Sequence, residues 1–437
     1  MQILRQRIAF LLALCTLLLA APANGQDKNT FAINEDGVLV INGEKIFPIM
    51  FTMPPPADGK TPDGKPALQE LKDAGANFVR TGPFGKPWDL KQLGHEQMYL
   101  DAAAAAGLYA SPNLRELSRI EEKADPEREL MLRELVTRFK DHPAVAVWKG
   151  ADEPEWGGEP VAPLVRAREV IRQLGSTQPI LIIQAPRGTV QSLRQYDPAY
   201  DITGVDIYPV GYPPGGHSLL PNNEISVVGD HVRMMMDVAE GRKPVWATLQ
   251  ISWSGVVNKG RTLRFPTLEQ QRYMTYQAIV NGARGLTYFG GHFPASLSPR
   301  DAELGWNWTF WTRVLRPVIE EIGEKSPLYR ALLAPNSSLP IRAAEVEFVV
   351  REVGDDIFII ACKREGETKQ IRFLELPADI TGAEVLFESP RTVELQTIAL
   401  DETKPDQLTA TFTDWFGPFD VHVYRLTRSR EKKSEND

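Results

Sequence analysis

From Lys45 to Ser326 the chain alternates short runs of β-branched and aromatic residues with longer amphipathic stretches, and it does so eight times. A hydrophobic period of two builds strands and a period of about 3.6 builds helices, so their regular alternation specifies βα units around a parallel sheet. The strands read as Phe47 to Phe51, Phe78 to Thr81, Leu108 to Pro112, Val145 to Lys149, Ile180 to Ile183, Ile202 to Ile207, Val245 to Gln250 and Leu286 to Phe289. Between them the helical period predicts Ala67 to Ala74, His95 to Ala106, Glu127 to Lys140, Pro163 to Leu174, Asp230 to Glu240, Leu268 to Asn281 and Thr309 to Ile322. Gly75, Gly107, Gly175, Gly241 and Gly282 each stand just past such a stretch, where helices take a left-handed C-terminal cap. Eight strands with interleaved helices in about 280 residues fit a closed (β/α)8 TIM barrel better than an open sheet.

Both ends of this α/β unit carry additions. Phe31 to Asn34 and Val38 to Ile41 flank Asp36-Gly37, a hairpin signal, and are expected to close the bottom of the barrel. Beyond Pro335 the helical period is lost. Glu345 to Arg351, Ile357 to Lys363, Lys369 to Leu374, Ala383 to Phe387, Leu408 to Thr413 and Asp420 to Leu426 read as a small C-terminal antiparallel β-sandwich. The expected organisation is a signal peptide over 1–25, the barrel with its hairpin over 26–335, the sandwich over 336–428 and a charged tail over 429–437.

The leader expectation rests on Arg5 and Arg7, the apolar run Ile8 to Ala21, and Ala23-Asn24-Gly25 ahead of Gln26. That run is short for a membrane span, and no later stretch approaches roughly 18 uninterrupted apolar residues. A secreted or periplasmic protein without a membrane span is the expectation. Leu14 ahead of Cys15 is bulkier than a lipoprotein signal uses, which argues against a lipid anchor. Removal of the leader leaves Cys362 alone, so the core must hold without an internal disulfide. The net charge of -8 argues against nucleic acid or an anionic membrane as partner, and a neutral ligand fits better.

In a barrel of this kind the residues to read are those at the carboxyl ends of the strands. After strand 4 comes Val147-Trp148-Lys149-Gly150-Ala151-Asp152-Glu153-Pro154-Glu155-Trp156, which puts Asp-Glu-Pro at the mouth. A sugar oxygen leaves well only if it is protonated as its bond breaks, and a partly buried carboxyl near other acids can hold that proton near neutral pH. Asp152 and Glu155 flank Glu153 and would help to raise its pKa. The other reading of the tripeptide is a helix-entry cap, because acids before a proline commonly begin helices.

With Asp152-Glu153-Pro154 in that place, the sequence resembles the large clan of retaining glycoside hydrolases of cellulase and β-galactosidase type. In that clan strand 4 ends in Asn-Glu or Asp-Glu, often followed by Pro, and the Glu is the general acid and base. Val40-Ile41-Asn42-Gly43-Glu44-Lys45-Ile46-Phe47-Pro48 is similar to the clan's opening, and Asn77-Phe78-Val79-Arg80 to its second strand, whose terminal Arg supports a catalytic carboxylate. Val205-Asp206-Ile207-Tyr208-Pro209 resembles strand 6, and Phe412 to Tyr424 the C-terminal β-domain of several members. The resemblance implies a glycosidase acting on an oligo- or polysaccharide, with Glu153 as acid.

Strand 7 departs from the pattern. A retaining glycosidase needs a second carboxylate about 5 Å from the first, and the clan supplies a Glu at the end of this strand. Here it reads Lys243-Pro244-Val245-Trp246-Ala247-Thr248-Leu249-Gln250-Ile251-Ser252-Trp253, with Leu249 or Gln250 where the nucleophile belongs. Three readings follow. Asp206 at the end of strand 6 could activate water across a separation of roughly 6.5 to 9.5 Å, giving inversion; the substrate could supply its own nucleophile, oriented by Gln250; or the barrel could bind carbohydrate without cleaving it.

The remaining site candidates are Arg80, which also reads as an ordinary ion-pair partner, and Tyr208. His292 lies in the flexible turn after strand 8. Trp156, Trp253 and Trp306 fall in loops where an exposed ring is costly unless it meets a ligand. Asp206 also reads as a simple strand terminator. The six His show no metal-ligand spacing and the glycines no phosphate-binding spacing, so neither a metal nor another cofactor is expected.

Overall fold

The computed structural model describes residues 28–121, 125–211, 218–254, 263–292, 298–400 and 406–429. The leader read over 1–25 and nearly all of the charged tail lie outside them.

Eight parallel strands form the barrel: Ile49–Phe51, Phe78–Thr81, Tyr109–Pro112, Trp148–Asp152, Ile180–Gln184, Ile202–Ile207, Val245–Gln250 and Gly285–Phe289. Neighbours pair in chain order from strand 4 through strand 8, then back to strand 1 and on to strand 3. Strands 3 and 4 close the ring through single bridges, Ala110 to Val145 and Asn113 to Lys149, rather than a continuous ladder. Closure leaves no sheet edge to protect.

Inward-facing side chains fill the lower half. Met50, Phe78, Ala146, Leu181, Ile183, Ile202 and Trp246 form one core with Leu39, Ile41 and Ile46 of the amino-terminal hairpin, which plugs the bottom as expected. Trp246 explains two glycines. A Cβ on Gly204 would stand 2.1 Å from the Trp246 carbonyl oxygen, and one on Gly285 would stand 2.9 Å from its indole. Because this packing fills the lower barrel, the strand ends at the top are where the barrel interior opens.

Helices surround the strands, among them Ala67–Ala74, Leu90–Ala105, Pro126–Phe139, Val161–Gln173, Val227–Ala239 and Leu268–Val280. Leu90–Ala105 begins earlier than the hydrophobic period indicates because Asp89 caps it, accepting from the Gln92 N–H at 2.7 Å. None of the described helices is long and apolar enough to cross a membrane.

The carboxy-terminal unit is a β-sandwich. A five-stranded antiparallel sheet (Glu347–Val353, Asp356–Cys362, Val421–Arg428, Ile380–Leu386, Arg391–Thr392, in spatial order) faces a three-stranded one (Lys369–Leu376, Leu408–Phe416, Gln396–Ala399). Ile359, Phe373, Phe412 and Tyr424 lie between them. Phe358, Ile360, Cys362 and Val423 on the outer face of the larger sheet join the main barrel core instead. Cys362 is buried there as a free thiol.

Strand 4 runs later than the sequence indicates. Its ladder begins at Trp148, breaks register between Lys149 and Asp152, and ends with the Glu153 N–H donating to the Ile183 carbonyl at 2.7 Å. The irregularity rotates the chain at the barrel mouth. It leaves Glu153 in the left-handed region at φ 50.

Candidate active site

A cavity of about 820 Å³ opens over the carboxyl ends of the strands. Its lining includes Arg80, Asp152, Glu153, Trp156, Asp206, Tyr208 and His292, all singled out in the sequence. The helix-cap reading of Asp152-Glu153-Pro154 fails: the next helix, Val161–Gln173, has Pro160 at its N-cap and receives no side-chain cap.

Glu153 and Asp206 both line the cavity, and their carboxyls are close enough to interact strongly. Burial, and then the charge of Asp152, raises the Glu153 pKa. Burial raises Asp206 well above the aspartate range, with the charges of Glu153 and Asp152 adding to it, while the Tyr208 hydroxyl donates to it. Two carboxyls in contact hold one proton between them, because ionising both would place two negative charges a few ångströms apart in a poorly solvated place.

Glu153 pays for its position in backbone strain. A non-glycine residue in the left-handed region costs roughly 1 kcal/mol or more. Pro154 fixes the chain after it, and the Glu153 carbonyl accepts from the Gly157 N–H at 3.0 Å.

Asp152 is the counterweight. Lys149 reaches up from within strand 4, 2 % exposed, and its Nζ lies 2.8 Å from Asp152 Oδ1. The same Nζ donates to the Ala151 carbonyl at 2.8 Å. Desolvation pulls Asp152 upward, but Lys149, Arg80 and Arg115 hold it below the ordinary aspartate value. Desolvation lowers the Lys149 pKa despite this partner. Arg80 Nε donates to the Thr52 carbonyl at 2.9 Å, which aims the guanidinium across the mouth.

Rings complete the walls. Tyr208 stacks on Phe289 with centroids 5.3 Å apart, and His292 meets Phe289 and Phe84 edge-on. Burial lowers the His292 pKa to about 4, so its imidazole is neutral near pH 7. Trp156 is 61 % exposed at the rim, with the Arg187 guanidinium 5.6 Å from its ring centroid.

Two expected site residues belong to the framework. Gln250 is fully buried and absent from the lining; its Oε1 accepts from Val210 N at 2.9 Å and its Nε2 donates to Val210 O at 2.5 Å. Both ends of the amide are spent on holding the loop after strand 6. The strand-7 residue that does line the cavity is Thr248, which accepts from Thr287 Oγ1 at 2.5 Å. Trp306 is likewise fully buried, packed edge-on against Phe51 and Trp308, with Nε1 donating to the Met53 carbonyl at 2.8 Å. It is core, not a sugar platform. The side chain of Trp253 and residues 212–217 of the Pro/Gly-rich loop after strand 6 lie outside the described residues.

Several lining residues escaped the sequence reading: Lys149, Glu96, Arg115 and Arg187. Glu96 accepts from Thr81 Oγ1 and from the Gly82 N–H at 2.8 Å, and burial lifts its pKa to about 7. Each left a trace. Lys149 interrupts an apolar strand, and Glu96 falls on the helix face otherwise made of Leu93, Leu100 and Ala103. Among the described residues no group of three or more His, Cys, Asp or Glu is placed to hold a metal ion.

No family model and no curated protein matches the sequence. Solved structures do match the fold. A glycoside hydrolase aligns over 93 % of this chain and 98 % of its own at 13 % identity with a TM-score of 0.59. A glycoside hydrolase family 5 protein from Bacteroides vulgatus covers 93 % and 95 % at 12 % identity, TM-score 0.58. An alpha-amylase from Geobacillus thermoleovorans, solved with acarbose, covers 88 % and 98 % at 11 % identity, TM-score 0.51. At these identities the likeness is one of fold: the chain has a glycoside hydrolase-like architecture, a TIM barrel followed by a β-sandwich.

Proposed function

We propose that the protein is a glycoside hydrolase in which Glu153 protonates the leaving glycosidic oxygen and Asp206 is the second carboxylate. The observation that carries this reading is the pairing of two carboxyls of raised proton affinity at the mouth of the barrel, beside an open cavity. The pair holds one proton at rest. Delivering it through Glu153 to the departing oxygen breaks the glycosidic bond and leaves both groups ionised, facing the cationic anomeric centre. Water then adds to that centre and returns a proton to the pair. The close contact favours Asp206 acting directly on the sugar over activating a water held between the two. Asp152, kept ionised by Lys149, raises the proton affinity of the pair. Tyr208 orients Asp206.

The buried, fully used amide of Gln250 favours a second reading, a carbohydrate-binding barrel without turnover, because strand 7 offers no carboxylate at its mouth. Incubating the purified protein with an oligosaccharide panel, beside Glu153→Gln, separates the two. Turnover that falls about 10³-fold in the variant while binding persists supports hydrolysis; binding without turnover in either protein supports the alternative.

We propose also that the protein acts outside the cytoplasm, on the charged, apolar and small-residue order of positions 1–25. A mature amino terminus at or next to Gln26 is the expected result of sequencing the exported protein; an intact Met1 would contradict it.

A further inference from the structure

The whole chain carries a net charge of -8, yet four cations line its cavity: Arg80, Arg115, Lys149 and Arg187. Against them stand Asp152, the Glu153 and Asp206 pair, and Glu96, whose pKa burial lifts to about 7. The partners of the four cations are unequal. Lys149 is paired with Asp152 at 2.8 Å and Arg115 loosely with its neighbour Glu116 at 3.6 Å. Among the described residues, neither Arg80 nor Arg187 makes an ion pair. Arg80 spends Nε on a backbone carbonyl. The Arg187 guanidinium makes no hydrogen bond to any described residue and rests against the exposed indole of Trp156.

An arginine held at a cavity wall with no carboxylate within ion-pairing distance contributes little to stability and is free to bind, since its planar fork matches an oxyanion in two hydrogen bonds. The aromatic beside it offers an apolar platform. A cation next to such a platform suits a ring that is apolar on its faces and anionic at its edge.

We propose that the saccharide bound in this cavity is anionic, and that the sugar unit seated at Trp156 carries an oxyanion group, a carboxylate or a sulfate ester, held by Arg187. This deepens the glycosidase reading and rests on it for the assignment of the cavity as a sugar site. It departs from the neutral ligand expected from the overall charge. The acidic surface is a global property, whereas the ligand meets the local field of the cavity.

The test uses Glu153→Gln protein, in which substrate stays intact, and calorimetric titration with matched probes. These are oligosaccharides containing glucuronate or galacturonate, each beside its carboxyl-reduced counterpart, and a sulfated galactan oligosaccharide beside its desulfated form. At least one charged member is expected to bind about ten-fold or more tightly than its neutral counterpart. That preference should shrink with added NaCl and fall toward unity when Arg187→Ala is added. Which charged member wins tells carboxylate from sulfate. Neutral members binding as well as charged ones, an undiminished preference in Arg187→Ala, or no binding by any charged member would overturn the proposal. Turnover by the unmodified protein, measured on the same panel, keeps the two ideas apart: Glu153-dependent cleavage of neutral sugars alone ends this proposal and leaves the glycosidase reading standing. Tight, Arg187-dependent binding of a charged sugar that is never cleaved does the reverse.

Discussion

The Asp206 carboxyl lies against that of Glu153; the charge of Glu153 raises the proton affinity of Asp206, and the charge of Asp152 raises that of both. Removing one member should therefore make the remaining proton easier to lose. In Asp206→Asn, the basic limb of the pH profile of kcat/KM is expected to move to lower pH, since a like charge has been taken away. An unmoved or raised basic limb would mean that the pair does not titrate as a unit.

Glu153 is held at φ 50, where glycine is at ease and a β-branched residue is not. Glu153→Gly is expected to stay within about 1 kcal/mol of the parent in urea unfolding, and Glu153→Val to fall about 1–2 kcal/mol below it. Equal stabilities for the two variants would show that the backbone relaxes out of this conformation.

Glu96 supplies a pH effect on stability whose sign follows from its raised pKa. The folded protein keeps the proton up to about pH 7, whereas in the unfolded chain it leaves near the ordinary glutamate value of 4.5. Stability from this group is complete below the unfolded pKa and is lost as pH climbs through that window, on the order of 3 kcal/mol in full. Glu96→Gln keeps an acceptor for the Gly82 N–H and can donate to the Thr81 hydroxyl oxygen, and it should flatten the decline in urea-derived stability between pH 4.5 and 7. The same decline in the variant would assign it to other groups.

Two tryptophans that look alike in sequence separate by measurement. Trp306 lies in a ring cluster with Phe51, Trp308 and Trp311, so Trp306→Ala should cost about 3–5 kcal/mol. Trp156 stands open at the rim, so Trp156→Ala should change stability by no more than about 0.5 kcal/mol while raising KM or weakening sugar binding about ten-fold. A large stability loss at Trp156 with unchanged binding would reverse the assignment.

The fold was legible because period is a local property. Strands 2, 6 and 7 follow their hydrophobic runs residue for residue. Strand 4 was displaced because its upper half, Lys149-Gly150-Ala151-Asp152, carries the polar and small residues that build the site and so does not look like strand. At the site, Glu153, Asp206 and Arg80 could be found by counting to strand ends. Gln250 could not be sorted in the same way. A buried amide at a strand end serves a ligand or a backbone equally well until the path of the neighbouring loop is known, and here both its hydrogen bonds go to Val210. Trp306 misled for a related reason: its loop turns inward. Arg187 carries no signal in sequence, because a lone loop arginine gains meaning only from the indole and the uneven charge around it.

The most direct test of the account is the dependence of Glu153→Gln activity on the leaving group. A glycoside whose departing oxygen needs protonation and a 2,4-dinitrophenyl glycoside of the same sugar, which needs none, are compared in kcat/KM. The account predicts a loss of about 10³-fold on the first and a much smaller loss on the second, because only the first draws on the proton that Glu153 delivers. Equal losses on both substrates, or no loss on either, would contradict Glu153 as the proton donor.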